Sequence, residues 1–387
     1  MTKNSPPQIQ SKLPDAGTTI FTLMSAMAAQ YNAINLSQGF PDFDGPQPLI
    51  EQACHYLQNG YNQYAPLAGI EPLRHQIANK VLQLYGCTVD PDLEVNVVPG
   101  ATEALFCAIQ ASVGHGDEVI VFDPAYDSYD PAIRLSGGTP VHIPLISPDF
   151  RVDWQQVRDR ITPRTRMIVI NSPHNPTGTL LDRQDMLQLS EIIIGNGLLL
   201  LSDEVYEHLV YDGLSHESVL KYPDLAAHAF TVSSFGKTYH VTGWKTGYCI
   251  APPHLMTEFR KVHQFVAFVG VTPLQHALAD FMRDHPEHYL QLPDFYQQKR
   301  DLFCELMSSS RFKIKPSSGT YFQLADYSNI SDLDDMSFAS WLTRKIGVAA
   351  IPISPFCQTE TQTRLIRFCF CKENSTLKKA TEKLCVI

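Results

Sequence analysis

A mostly parallel β-sheet covered by helices, with a smaller α+β unit attached, is the α/β fold that this sequence predicts. Three observations carry it. Short apolar, β-rich runs alternate with helix-length stretches through the middle of the chain. Several of these runs end in polar residues suited to chemistry, and open α/β sheets bind ligands outside the carboxyl ends of their strands. Beyond about Pro286 the alternation gives way to a charged helical stretch and isolated strand segments.

In chain order, strands are predicted over 94–98, 118–122, 139–143, 167–171, 198–203, 230–234 and 247–251, a seven-stranded sheet. The helix predicted over 102–113 is started by Thr102, with Glu103 in a first turn whose positive end favours a carboxylate. A second helix over 185–194 stops near Gly195-Asn196-Gly197. Later, a charged helix over 296–307 leads to Tyr321-Phe322-Gln323-Leu324, a loop at Ile351-Pro352-Ile353 and a segment over 364–370. The predicted organisation is a segment 1–48 joining the small unit, a large domain 49–285 and a small C-terminal domain 286–387.

Composition narrows the function classes. With 387 residues, 44% hydrophobic and 18% charged, the chain can bury two cores and does not read as disordered. A formal charge of -10 without a basic block argues against a nucleic-acid footprint and favours a small-molecule partner. Nine Cys without regular spacing argue for a reducing compartment rather than a disulfide framework. Cys369 and Cys371 read as neighbours on one strand face rather than a metal site, and Cys385 is misplaced for prenylation. Met1 to Gln10 lack the pattern of a secretory signal, and no run approaches the roughly 20 apolar residues of a membrane span. A soluble, cytoplasmic protein is expected.

Four places along the large domain carry candidate chemistry. Gly100-Ala101-Thr102-Glu103 joins a strand to a helix, so free N–H groups and the helix end can face an anion, or the segment is an ordinary turn. Asn175, in Asn171-Ser172-Pro173-His174-Asn175-Pro176-Thr177-Gly178, sits on a turn stiffened by two prolines, from which its amide can donate to a ring oxygen. Asp203 ends a run apolar enough to be buried, where a carboxylate needs a cation or several donors; capping the next helix is the plainer alternative. Lys237 follows another strand amid Ser, Gly, Thr and Tyr. It is either a solvated surface charge or an enclosed amine whose pKa is lowered beside Lys245 and which is free to attack a carbonyl.

Together these residues resemble the fold-type I, pyridoxal-phosphate-dependent class I/II aminotransferases. The resemblance runs from Asn35-Leu36-Ser37-Gln38-Gly39-Phe40-Pro41-Asp42 to Ile366-Arg367-Phe368. It rests on Asn175-Pro-Thr-Gly, Asp203-Glu-Val-Tyr206, Ser234-x-x-Lys237 with Lys245 eight residues on, and the late Arg367. It implies that Lys237 holds the cofactor's aldehyde and then carries a proton between substrate Cα and cofactor C4′. Asp203 would keep the ring nitrogen protonated, Tyr206 and Asn175 would bond the phenolic oxygen, and Tyr126 would stack on the ring. Gly100, Ala101, Thr102, Ser234 and Lys245 would hold the phosphate; most relatives carry Arg at the last position, so a point charge replaces a planar fork. Tyr64 would reach the phosphate of the other subunit, which implies a homodimer with shared sites. Arg367, helped by the Gly39 backbone and Asn175, would clamp the substrate α-carboxylate.

Within the family the chain is similar to the methionine, glutamine and kynurenine transaminases, with Ile20, Phe21, Tyr64, Tyr126 and Phe356 as candidate apolar walls. Methionine and aromatic amino acids are the substrates this implies, by ping-pong transfer to a 2-oxo acid. A cysteine-S-conjugate β-lyase on the same cofactor is the alternative. Two rivals are weaker on the residues. A serine acyl-enzyme reading of Ser234-x-x-Lys237 lacks its partner motifs. A cofactor-sensing regulator lacks room for a DNA-reading domain before the first motif.

Overall fold

The seven apolar runs become the strands of one sheet in the computed structural model, which describes residues 9–358 and 363–387. The first eight residues, part of the segment read as lacking a signal, lie outside the described residues. In chain order the strands are β1 (Ile34–Asn35), β2 (Val95–Val98), β3 (Glu118–Asp123), β4 (Thr139–Pro144), β5 (Thr165–Asn171), β6 (Leu199–Asp203), β7 (Ala229–Ser234), β8 (Gly247–Ile250), β9 (Phe322–Asp326), β10 (Val348–Ala349), β11 (Ile351–Pro352) and β12 (Leu365–Cys369). The large sheet has the order β2-β8-β7-β6-β5-β3-β4. Its strands run parallel except β8, which is antiparallel to both neighbours.

Burial explains the character of these strands. β3 is buried at every position and β6 at all but its first residue, because helices cover both faces, as a parallel sheet requires. The helices Ala101–Ser112 and Pro253–Val266 close one face through Leu105, Ala108, Met256 and Phe259, and Arg183–Asn196 covers the other through Met186, Leu189 and Ile193. The chain moves outward from β3 to β4, then returns past β3 to β5, β6 and β7. The carboxyl ends of β2, β5, β6 and β7 therefore open onto one edge, at Val98, Asn171, Asp203 and Ser234.

A three-stranded antiparallel sheet, β11-β12-β9, lies in the C-terminal part of the chain. Its packing partners include the helices Glu287–Leu306, Asp335–Trp341 and Asn374–Leu384, whose Tyr296, Phe303, Phe338 and Leu377 share one core with Phe322 and Phe368. β1 pairs in parallel with β10, and Ile20 and Met24 of the helix Ile20–Gln30 pack on Ile351 and Phe356. The N-terminal segment is thus physically stitched to the C-terminal elements.

Three sequence expectations change. Thr102 does not start its helix: Ala101 is the first helical residue and Gly100, at φ 86°, turns the chain without a side-chain cap. The charged helix begins at Glu287 rather than near 296, because Pro293 sits within it without ending it. Ile351-Pro352 is a strand, since Ile351 and Pro352 pair with Arg367 and Ile366 of β12. Cys369 and Cys371 are both buried in the C-terminal core.

Candidate active site

Gly100, Ala101, Thr102, Tyr126, Asn175, Asp203, Tyr206, Ser234, Lys237 and Lys245 line a single cavity at the carboxyl edge of the large sheet. The strand ends deliver Asp203 and Ser234 directly, the loop after β2 delivers Gly100, and the four-residue helix Phe235–Thr238 presents Lys237. Asn171, Leu105 and Thr246, which the sequence reading had not singled out for the site, complete part of the wall.

Lys237 is an amine held without a carboxylate partner among the described residues. Its Nζ donates to the Tyr321 hydroxyl at 2.8 Å and to the Gly39 carbonyl at 3.2 Å, and lies over the rings of Tyr206 and Tyr321. Burial lowers its pKa from 10.5 to about 8, and the charges of Lys245 and Arg367 push the same way. At neutral pH roughly a tenth of such an amine is unprotonated, which makes it a usable nucleophile.

Asp203 is 3% exposed and forms no salt bridge among the described residues. One carboxylate oxygen accepts the Tyr129 O–H at 2.6 Å, and the other receives the Val205 N–H at 3.3 Å. Burial raises its pKa from 3.8 to about 6 despite those donors. A carboxylate kept this dry fits a protonated nitrogen brought by a ligand.

An anion cradle lies across the cavity. A Cβ built on Gly100 would stand 3.1 Å from Lys245 Cε and 3.2 Å from its Nζ, so the ammonium sits against the start of the helix Ala101–Ser112. A cation at a positive, uncapped helix end is unfavourable until an anion joins both. Lys245 itself holds a positive φ of 49°, a conformation that turns it back toward Gly100. Thr102 in the first turn lies beside the Tyr126 hydroxyl, and both residues line the same cavity.

Arg367, in the middle strand of the small sheet, is fully buried and reaches the edge of this site. Nη1 donates to Asn175 Oδ1 at 2.6 Å and Nη2 to the Ser37 carbonyl at 2.9 Å, while Nε has no partner among the described residues. The guanidinium lies 3.7 Å from the centre of the Phe322 ring and 5.3 Å from that of Phe21. Burial lowers its pKa to about 10, so it stays a cation at neutral pH and is placed to meet a carboxylate. Gly39 is squeezed here as well: a Cβ would come within 2.7 Å of Phe322 Cζ.

Tyr64 is not brought to the cavity within one chain; it is 86% exposed and touches Phe268 edge-on. Ile20, Phe21 and Phe356 do gather, with Phe21 and Phe356 rings 5.6 Å apart, and Phe356 is tied to the Tyr126 loop by the Ala125 N–H. Tyr129 and Tyr321 were missed because the sequence separates them from Asp203 and Lys237 by 74 and 84 residues. Elsewhere Glu103, Cys107 and His263 converge, but Glu103 Oε1 already engages both the thiol and the imidazole.

The family model described as aminotransferase class I and II matches residues 31–384. A methionine aminotransferase of Escherichia coli is 54% identical over 98% of this chain and 99% of its own. Human kynurenine--oxoglutarate transaminase 3 is 36% identical over 94% of this chain and 87% of its own. The crystal structure of an Escherichia coli protein with a methionine aminotransferase function superposes at a TM-score of 0.97 with 53% identity, covering 99% of this chain and 100% of that one. With a half-buried amine, a buried carboxylate and a buried arginine around one cleft, the chain belongs to the class I and II aminotransferases and is a transaminase.

Proposed function

We propose that this transaminase uses pyridoxal phosphate to move the amino group of L-methionine, or of another large neutral or aromatic amino acid, to a 2-oxo acid. We further propose that it works as a homodimer in the cytoplasm. The observation that carries the reading is the convergence of Lys237, Asp203 and the Lys245–helix cradle on one cavity. When bound, pyridoxal phosphate supplies an aldehyde for an amine and a ring that takes up the electron pair left at the substrate Cα.

The chain's own residues then divide the work. Lys237 would hold the cofactor's aldehyde and would carry the proton between the substrate Cα and the cofactor's C4′. Its lowered pKa suits both tasks. Asp203 would keep a proton on the ring nitrogen. Asn175 and Tyr206 would bond the phenolic oxygen, and Tyr126 would cover the ring. Ala101 and Thr102, after the Gly100 turn, would bind the phosphate with Ser234 and Lys245, joined by Tyr64 of a second copy. Arg367 takes the α-carboxylate, with the Gly39 backbone and Asn175 assisting. Ile20, Phe21 and Phe356 form an apolar wall nearby that favours an uncharged side chain. The names of the methionine and kynurenine transaminase relatives support the same substrate class. Among the described residues no helix is long and apolar enough to cross a membrane.

The test is the visible absorbance of the purified protein before and after L-methionine is added without an oxo acid. A yellow band that bleaches, and returns when a 2-oxo acid follows, is the expected result. A persistent band that bleaches with another amino acid would change the substrate. Pyruvate and ammonia from a cysteine S-conjugate, without transfer, would favour the β-lyase. A colourless protein that pyridoxal phosphate cannot reconstitute would overturn the reading.

A further inference from the structure

Asp203 does not stand alone at the end of β6. Tyr129 opens the helix Tyr129–Ser136, is buried, and donates its O–H to Asp203 Oδ2 at 2.6 Å. The same ring meets Tyr126 edge-on, 5.6 Å between centres at 75°, so it lies directly behind the residue proposed to cover the cofactor ring. The other oxygen, Oδ1, has among the described residues only the 3.3 Å contact with the Val205 N–H. The Asp203 backbone is pinned separately, its carbonyl accepting Asn171 Nδ2 at 2.9 Å and the Ser172 N–H at 3.2 Å. The main chain is fixed by one set of bonds and the carboxylate by another, and Tyr129 is the short bond of the second set.

We propose that Tyr129 is a positioning residue for transamination: it fixes the rotamer and ionisation of Asp203 and so sets how firmly that carboxylate holds a protonated ring nitrogen. This rests on the assignment of Asp203 to that nitrogen. A hydrogen bond donated to the ionised form favours the carboxylate over the acid in a dry site. It also occupies one oxygen, leaving Oδ1 as the less satisfied acceptor for an incoming N–H. Buried Tyr129 has no easier proton to give, because burial beside Asp203 pushes its own ionisation well upward. It therefore stays a donor throughout the working pH range and takes no proton from the substrate.

The experiment is a double-mutant cycle on cofactor affinity, read by equilibrium titration of the cofactor-free protein with pyridoxal phosphate. The variants are Tyr129→Phe, Asp203→Asn and the pair, with thermal melts to establish folding. Tyr129→Phe should weaken binding about tenfold to a hundredfold, the range for one hydrogen bond to a charged group. In the Asp203→Asn background the same change should cost about twofold or less, because no carboxylate is left to orient. Equal losses in both backgrounds would make Tyr129 a packing residue, and no loss in the Asp203 background would dismiss it; either result overturns the proposal. If Asp203→Asn alone leaves affinity unchanged, the assignment of Asp203 itself has failed, which is a distinguishable outcome. Should Tyr129→Phe not fold, Tyr129→His, which keeps a ring and a donor, provides the comparison: affinity within about threefold of the parent supports positioning, and a loss like that of Asp203→Asn counts against it.

Discussion

At the scale of single residues, the site is defined by two ionisable groups pushed in directions that cost stability. Lys237 has its pKa lowered to about 8, so at pH 7 it is the unprotonated fraction that can capture an aldehyde. We expect the rate at which pyridoxal phosphate is captured by the cofactor-free protein to rise about fifteenfold between pH 6.5 and 8 and to level off above about 9. Stopped-flow absorbance measures this, and a rise continuing past 10 would mean that Lys237 keeps an ordinary pKa. Lys237→Ala should abolish turnover while leaving the phosphate cradle intact. Asp203 shows the opposite shift, from 3.8 to about 6. Its folded-state pKa lies above the unfolded one, so the neutral acid fits the fold, and stability falls as pH rises through 3.8 to 6. Above pH 6 the charged form costs up to about 3 kcal/mol. Asp203→Asn should therefore melt at a higher temperature than the parent at pH 8 in the absence of cofactor, and at the same temperature near pH 3.5. A parent that is the more stable at pH 8 would show that other donors already satisfy the carboxylate.

Among the elements, the join between β2 and the helix Ala101–Ser112 matters most. Gly100 combines a φ of 86° with a Cβ position 3.1 Å from Lys245 Cε. Gly100→Ala should both strain the turn, by about 1 to 3 kcal/mol, and displace the lysine from the helix end. The expected result is cofactor binding weakened for pyridoxal phosphate but little changed for pyridoxal, which has no phosphate to lose. Equal weakening of both would place the damage in the strand rather than the cradle. This element was legible in the sequence, as were the strands ending at Asp203 and Ser234, because apolar runs closed by polar residues are local patterns. Its cap was misread: Thr102 has the side chain of an N-cap, but the positive φ that Gly100 alone tolerates moved the helix start by one residue. The short strand Ile351–Pro352 escaped notice because two residues carry no periodicity; only the pairing with Ile366 and Arg367 defines it. Tyr321 and Tyr129 were invisible for a related reason, since their partners come from other segments of the fold.

In the whole molecule, one candidate residue points away from the cavity. Tyr64 is 86% exposed and meets Phe268 edge-on, and Phe265 and Val271, three residues to either side of Phe268 in the chain, are exposed at 85% and 54%. Exposed apolar side chains gathered in this way are expensive in water and suit a second copy of the chain. If Tyr64 serves the neighbouring site, two defective chains should repair each other. A Lys237→Ala chain lacks the amine but still offers Tyr64; a Tyr64→Ala chain keeps the amine but offers no hydroxyl. In mixed dimers the amine-bearing site receives its tyrosine from the Lys237→Ala partner. With random reassortment, half of the chains keep Lys237 and half of those gain an intact neighbour. Equal mixing should then recover about a quarter of parental activity at limiting cofactor, from two preparations that have little alone. Sedimentation should show a dimer before and after mixing. Recovery no greater than the mean of the two parents, despite demonstrated exchange, would mean that Tyr64 acts within its own chain or not at all. The exposed tyrosine would then need another explanation.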